Sequence, residues 1–185
     1  GLQRIKDIKR SLSNQMLDLL TVLNDFTDQR DGKKYGPVDT WSSDRILVVD
    51  SLSALNRIAM ETVVGTKPIK DMAEWGIAQS LVMNLLQKLT SGCNAHFILI
   101  AHVERETDQI MGGVKLMVAS LGKAITSQIP QPFSDVILAS REGDKFYWDT
   151  AAYGVDTKTR SLGYRSKIDP NFAQIMDLWV KRGGK

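Results

Sequence analysis

Apolar positions recur along this chain in two rhythms, and the helical rhythm comes first. Leu2, Ile5, Ile8, Leu12, Met16, Leu19 and Leu23 follow one another at spacings of three and four, with polar residues between them. That spacing predicts an amphipathic helix over 2–24. The segment "TDQRDGKKYGPVDTWSSD", 27–44, is dense in Asp, Gly, Lys and Ser and predicts a loop. An unbroken aliphatic run, Ile46 to Val49, then enters a single carboxylate, Asp50. It predicts a strand over 45–50, buried on both faces, followed by a helix near 52–62.

A loop is expected over "VGTKPIKD", 64–71. Met72, Trp75, Ala78, Leu81, Val82, Leu85, Leu86 and Leu89 then predict a long helix from Asp71 to Thr90. Asp71 is placed to cap its start and Gly92 to stop its end. "HFILIAH", 96–102, predicts a second buried strand that again ends on a polar side chain. "SDVILAS", 134–140, and "KFYWDTA", 145–151, predict an antiparallel pair joined across "REGD". Asp169-Pro170 is expected to open a last helix running to about Val180. Apolar strands alternating with long helices imply an α/β fold, a sandwich around a mainly parallel central sheet with a C-terminal antiparallel hairpin.

Composition narrows this reading without redirecting it. The 185 residues are 43% hydrophobic and 24% charged, which suits one globular core with no internal repeat. No apolar run approaches the roughly 18 residues of a membrane span, so no membrane partner is expected. The charged N-terminal segment lacks the apolar centre of a secretory signal. The single cysteine, Cys93, excludes an internal disulfide framework and a cysteine-rich metal site, and a reducing, cytoplasmic setting is expected. The net charge of +3 leans mildly toward anionic partners.

The acid that ends the first strand needs an explanation, because burying an unpaired charge is costly. In open parallel sheets the ligand site lies beyond the carboxyl ends of the strands. Asp50 and His102 both stand at such ends and can face one shared site. An acid at the tip of an aliphatic strand is the Walker B pattern, whose carboxylate holds Mg²⁺ through water beside a nucleotide's phosphates. The alternative is a strand-end Asp that caps the following turn.

"VVDSLSAL" resembles the Walker B segment of RecA-type ATPases, where a hydroxyl residue and an apolar helix start follow the acid. Further landmarks follow in the same order. "FILIAHVERE" is similar to the strand on which that superfamily carries its Gln or His γ-phosphate sensor. "TDQIMGGVKLMVASLGKAITSQIPQP" stands where the family has its DNA-contacting mobile loop. "FSDVILAS" and "DTKTRSLGYRSKIDPNF" complete the series. The chain looks most like short phage RecA-like ATPases of single-strand annealing and recombination, over roughly residues 40 to 180. The resemblance implies a three-layer RecA-like core with ATP and Mg²⁺ as cofactors and single-stranded DNA as partner. It also implies a homo-oligomeric ring or filament, with a single-strand-binding protein as a further partner, in the cytoplasm of a phage-infected host.

The phosphate-binding loop of that family, GxxxxGK(S/T), is missing. "GKKYG" at 32 lacks a hydroxyl residue after its lysine, and "MVASLGKAI" has Ala124 in the place of Ser or Thr. The residues before Asp50 read as helix plus loop. The expectation is therefore that 1–185 is one partial RecA-like core, the later part of a longer ATPase.

Each candidate residue has a role implied by the resemblance and an ordinary structural alternative. Asp50 is the Mg²⁺ ligand, and Ser51 either orients it or caps the next helix. His102 is the γ-phosphate sensor or a polar strand end. Glu104 and Glu106 stand close enough in sequence to polarise a water. Lys158 and Arg160 look like the Lys-x-Arg pair that RecA- and DnaB-like assemblies insert into a neighbour's nucleotide site. Placed two apart on a strand, their side chains share one side. The alternative is a solvated basic edge. Lys115 and Lys123, in a stretch with no acid after Asp108, suit phosphate contact, although the segment has no aromatic for base stacking. "VKLMVASLGKAI" reads alternatively as a core helix. Trp75, Trp148 and Trp179 are expected in core or interface. A DnaB-type ring motor and a non-hydrolysing DNA-binding or scaffold module are the rival functions.

Overall fold

The computed structural model describes residues 15–65, 67, 71–107 and 112–184. Over these the chain is a mixture of helices and strands that divides into two compact units, one formed by residues up to His102 with Ala119–Pro132, the other by Val103–Val118 with Phe133 onward. The first half of the expected N-terminal helix and parts of the 64–71 and 107–130 segments lie outside the described residues.

The first described element of the first unit is α1, Gln15–Asn24, the C-terminal part of the 2–24 pattern. The segment expected to be a loop holds more order than its composition suggests. Strands β1, Phe26–Thr27, and β2, Lys34–Gly36, pair antiparallel, and a single 3-10 turn follows at Val38–Thr40. Phe26, Tyr35 and Trp41 meet edge to face, with centroids 5.3 to 6.4 Å apart, and the Arg45 guanidinium lies over the Tyr35 and Trp41 rings. Buried Asp28 is held by the Arg30 guanidinium at 2.7 Å, and that bond raises the Arg30 pKa.

Strand β3, Ile46–Asp50, runs parallel to β4, His96–Ile100, in the register Ile46↔His96 to Asp50↔Ile100. Between them come α2, Leu52–Val64, and α3, Met72–Ser91, which pack on each other, with Leu52, Ala59, Ala78, Val82 and Leu86 buried. Asp71 caps α3 as expected. Its carboxylate accepts the Glu74 N–H while the Glu74 side chain accepts the Asp71 N–H, a complete capping box. The β3–β4 pair is covered unevenly. Leu47 is 5% exposed, whereas Ile46, Val48 and Ile100 are 46%, 52% and 44% exposed. The run expected to be buried on both faces is buried on one. A short helix α4, Lys123–Thr126, closes this unit with Leu121, Ile125 and Ile129 buried.

Among its described residues the second unit contains two antiparallel strand pairs. Strand β5, Val103–Thr107, pairs antiparallel with β6, Val114–Val118, so much of the expected mobile loop is regular structure. The apolar residues of "VKLMV" lie in a strand, which corrects the core-helix alternative for that portion. Strand β7, Leu138–Glu142, pairs with β8, Lys145–Asp149, across the expected Gly-Asp turn. Gly143 has φ +58°, the left-handed geometry required at the first position of this two-residue turn. The strand starts later than 134. Of its expected early residues, Val136 makes only an isolated bridge to Lys158. The last helix, α5, spans Ala173–Lys181 and also starts later than expected, with the Asn171 side chain accepting the Ala173 N–H. Phe172 packs edge to face on Trp148 at 4.8 Å.

The described sheets are four two-stranded pairs, one parallel and three antiparallel. No described helix is long and apolar enough to cross a membrane.

Candidate functional site

The parallel register sets the geometry of the strand ends. Asp50 pairs with Ile100, so His102, two residues further, emerges just past the same edge of the pair. The carboxylate is exposed, as the position beyond a strand's carboxyl end requires, and so is the imidazole. Neither group carries the burial penalty that made a strand-end acid unusual. The Asp50–Ser51 peptide bond is cis.

Ser51 is buried and occupies the N-cap position of α2. Its carbonyl accepts the Ala54 and Leu55 N–H groups, and its side chain makes no capping bond. The capping role expected of its hydroxyl is thus not the one it plays. The first turn of the helix brings a second serine to the strand ends. The Ser53 hydroxyl lies 3.1 Å from His102 Nδ1, joining residues 49 apart in sequence. The His102 carbonyl also accepts the Ala119 N–H, and Asn56, one turn further along α2, donates weakly to the Ala119 carbonyl at 3.5 Å. Asp50, Ser51, Ser53 and His102 therefore gather at one end of the parallel pair. Ser53 is not marked by any pattern in the sequence. Its only signal is its position, three residues after the acid on the first turn of the following helix.

Lys123 belongs to this unit and opens α4, exposed. It follows Gly122, whose φ of +81° and close approach to Gln79 Nε2, 3.3 Å from an added Cβ, both favour glycine.

The other candidates lie in the second unit. Glu104 and Glu106 alternate along β5, opposite Met117 and Lys115. Lys115 was expected to face no opposing charge, and the structure corrects this. Its ammonium pairs with the Asp156 carboxylate at 2.7 Å, with side chains 44% and 60% exposed. Lys158 and Arg160 do not share a regular strand. Lys158 exchanges backbone hydrogen bonds with Val136, at 2.7 and 3.2 Å, and Arg160 lies in a bend beyond it. That bend closes on Asp135, which accepts from Thr159 Oγ1, the Arg160 and Ser161 N–H groups and the Ser161 hydroxyl. The Arg160 carbonyl accepts the Arg182 guanidinium. The alternation that would put both cations on one side is absent, although the Arg160 side chain is exposed.

Among the described residues no three or more His, Cys, Asp or Glu side chains converge as a metal-binding group. A water-coordinated Mg²⁺ carried by phosphates requires less, since one or two carboxylates suffice. The exposed Asp50 carboxylate fits that requirement. No family model, curated protein or solved structure matches the chain.

Proposed function

We propose that this chain is the Walker B half of a RecA-like ATPase that binds single-stranded DNA in phage-type recombination or annealing. The observation that carries the reading is that Asp50 ends one parallel strand and His102 follows the end of its neighbour, at the same end of the pair. The three-layer sandwich with a continuous parallel sheet is part of this proposal, as are a homo-oligomeric ring or filament, a single-strand-binding protein as partner and a cytoplasmic setting. In this reading Asp50 holds the water shell of Mg²⁺, and His102 reads the terminal phosphate of ATP. Bound Mg²⁺ neutralises charge that develops on the transferred phosphoryl group. Glu104 or Glu106 orients the attacking water, and Lys158 and Arg160 act on a neighbouring subunit's nucleotide. Lys115 and Lys123 contact the DNA backbone.

Such an ATPase needs a phosphate-binding loop, which these 185 residues do not contain. In this reading the loop is supplied by polypeptide outside them. This same observation favours a second reading, a DNA-binding or scaffold module without hydrolysis. The test uses the gene product that joins this chain to such a loop. DNA-stimulated ATP hydrolysis is expected, and Asp50→Asn should lower it at least about tenfold with an unchanged fold. Wild-type turnover in that variant removes the Walker B assignment, and absence of Mg-ATP binding by the wild type favours the scaffold. Strand displacement coupled to hydrolysis would identify the ring motor instead.

A further inference from the structure

Ser53 belongs to no motif, yet its side chain ties α2 to the residue just past the end of β4. A serine in the first turn of a helix ordinarily turns its hydroxyl to the helix's own unpaired N–H groups. Here the Ala54 and Leu55 N–H groups are already satisfied by the Ser51 carbonyl. The Ser53 hydroxyl instead lies within hydrogen-bond distance of the imidazole. The backbone of His102 is fixed independently by the bond from the Ala119 N–H to its carbonyl, so the residue is tethered through both its main chain and its ring.

A neutral imidazole has one N–H donor and one acceptor nitrogen, and the partner of one nitrogen decides the state of the other. We propose that Ser53 is a positioning residue for His102: its hydroxyl donates to Nδ1, which holds the ring as the Nε2–H tautomer. The other nitrogen, Nε2, then carries a proton, the form that recognises an anionic oxygen such as a terminal phosphate. Without the hydroxyl, Nδ1 is released to carry the proton and the ring can turn. The ligand class rests on the reading of His102 as a γ-phosphate sensor; the tautomer itself does not.

The experiment has two arms, both on the full protein. The chain has two histidines, so ¹⁵N-histidine labelling gives two ring systems, and His102→Gln assigns them. With the imidazoles neutral and no nucleotide present, His102 should be purely Nε2–H. Ser53→Ala should average its two ring nitrogens toward each other, and Ser53→Thr should restore the pure form. A His102 spectrum unaltered by Ser53→Ala, or an Nδ1–H wild type, overturns the proposal whatever the nucleotide does. Alanine is a good helix former, so a folded variant is expected, and the unchanged His96 signals verify it. In the second arm, the preference for a non-hydrolysable ATP analogue over ADP should fall about twofold in Ser53→Ala, because the sensing tautomer becomes one of two populated forms, and recover in Ser53→Thr. If the tautomer responds but neither Ser53→Ala nor His102→Ala changes that preference, the positioning stands and the phosphate-sensor reading falls.

Discussion

The Asp135 carboxylate accepts the backbone N–H of Arg160 at 3.0 Å, and the same oxygen takes the Thr159 hydroxyl at 2.7 Å. The conformation of the Lys158–Ser161 segment is therefore set by an acid more than twenty residues upstream. Asp135→Ala leaves two N–H groups and two hydroxyls without this acceptor and should cost about 2 kcal/mol. Urea unfolding would show the loss, and amide exchange should accelerate at Arg160 and Ser161. Asp135→Asn retains an acceptor oxygen and should lose less.

Lys115 and Asp156 form an exposed pair, which limits its worth to stability. Either partner's replacement by alanine should change unfolding free energy by less than about 1 kcal/mol. If this face touches DNA, Asp156→Ala releases Lys115 and removes a repelling charge. Single-strand affinity should rise, with up to about one added unit of salt dependence for each further phosphate that the lysine neutralises. Fluorescence anisotropy across a salt series measures this. Lys115→Ala with Lys123→Ala should move the slope in the opposite direction, and an unchanged slope takes both lysines out of the interface.

The exposed Arg160 side chain gives a test of the shared nucleotide site. Arg160→Ala should reduce hydrolysis at least about a thousandfold while sparing nucleotide binding, if it acts as an arginine finger. Mixing it with Asp50→Asn should restore part of the activity, because head-to-tail contacts then include some with both residues intact. A co-assembled but inactive mixture shows that Arg160 serves its own subunit.

Lys167 donates to the Glu142 carboxylate at 2.8 Å, and this bond, with the attraction behind it, raises the lysine pKa. A raised pKa in the folded state means that the bond stabilises only while the lysine is protonated. Its contribution is complete below the unfolded lysine value of about 10.4 and disappears as pH rises through the higher folded value. The stability difference between wild type and Lys167→Met should accordingly be constant near neutrality and vanish in strong alkali. High salt should shrink it at every pH, since the pair is exposed. Urea midpoints across the alkaline range measure the difference.

The longer elements were legible because their residues repeat one physical choice many times. Five residues of "ILVVD" and twenty of α3 leave little freedom, and Asp71 marks the helix start. The ribbon of β1 and β2 was not legible. Two or three residues carry no period, and its order comes from Phe26, Tyr35 and Trp41 meeting across the chain. In the site, Asp50 and His102 announced themselves by ending aliphatic runs. Ser53 did not, because its importance lies in a partner 49 residues away. The same distance effect hid Asp156 from Lys115 and Asp135 from Arg160. Local sequence shows a charge, whereas only the folded chain shows what answers it.

The uneven covering of β3 and β4 bears on how this chain behaves in the test tube. Parallel strands are normally sheathed on both sides. Here Ile46, Val48 and Ile100 form an exposed aliphatic strip, and a net charge of only +3 provides weak mutual repulsion. The limit on working with the chain is then colloidal. Folded molecules should then associate through this strip, and added salt, by screening what repulsion exists, should bring turbidity sooner.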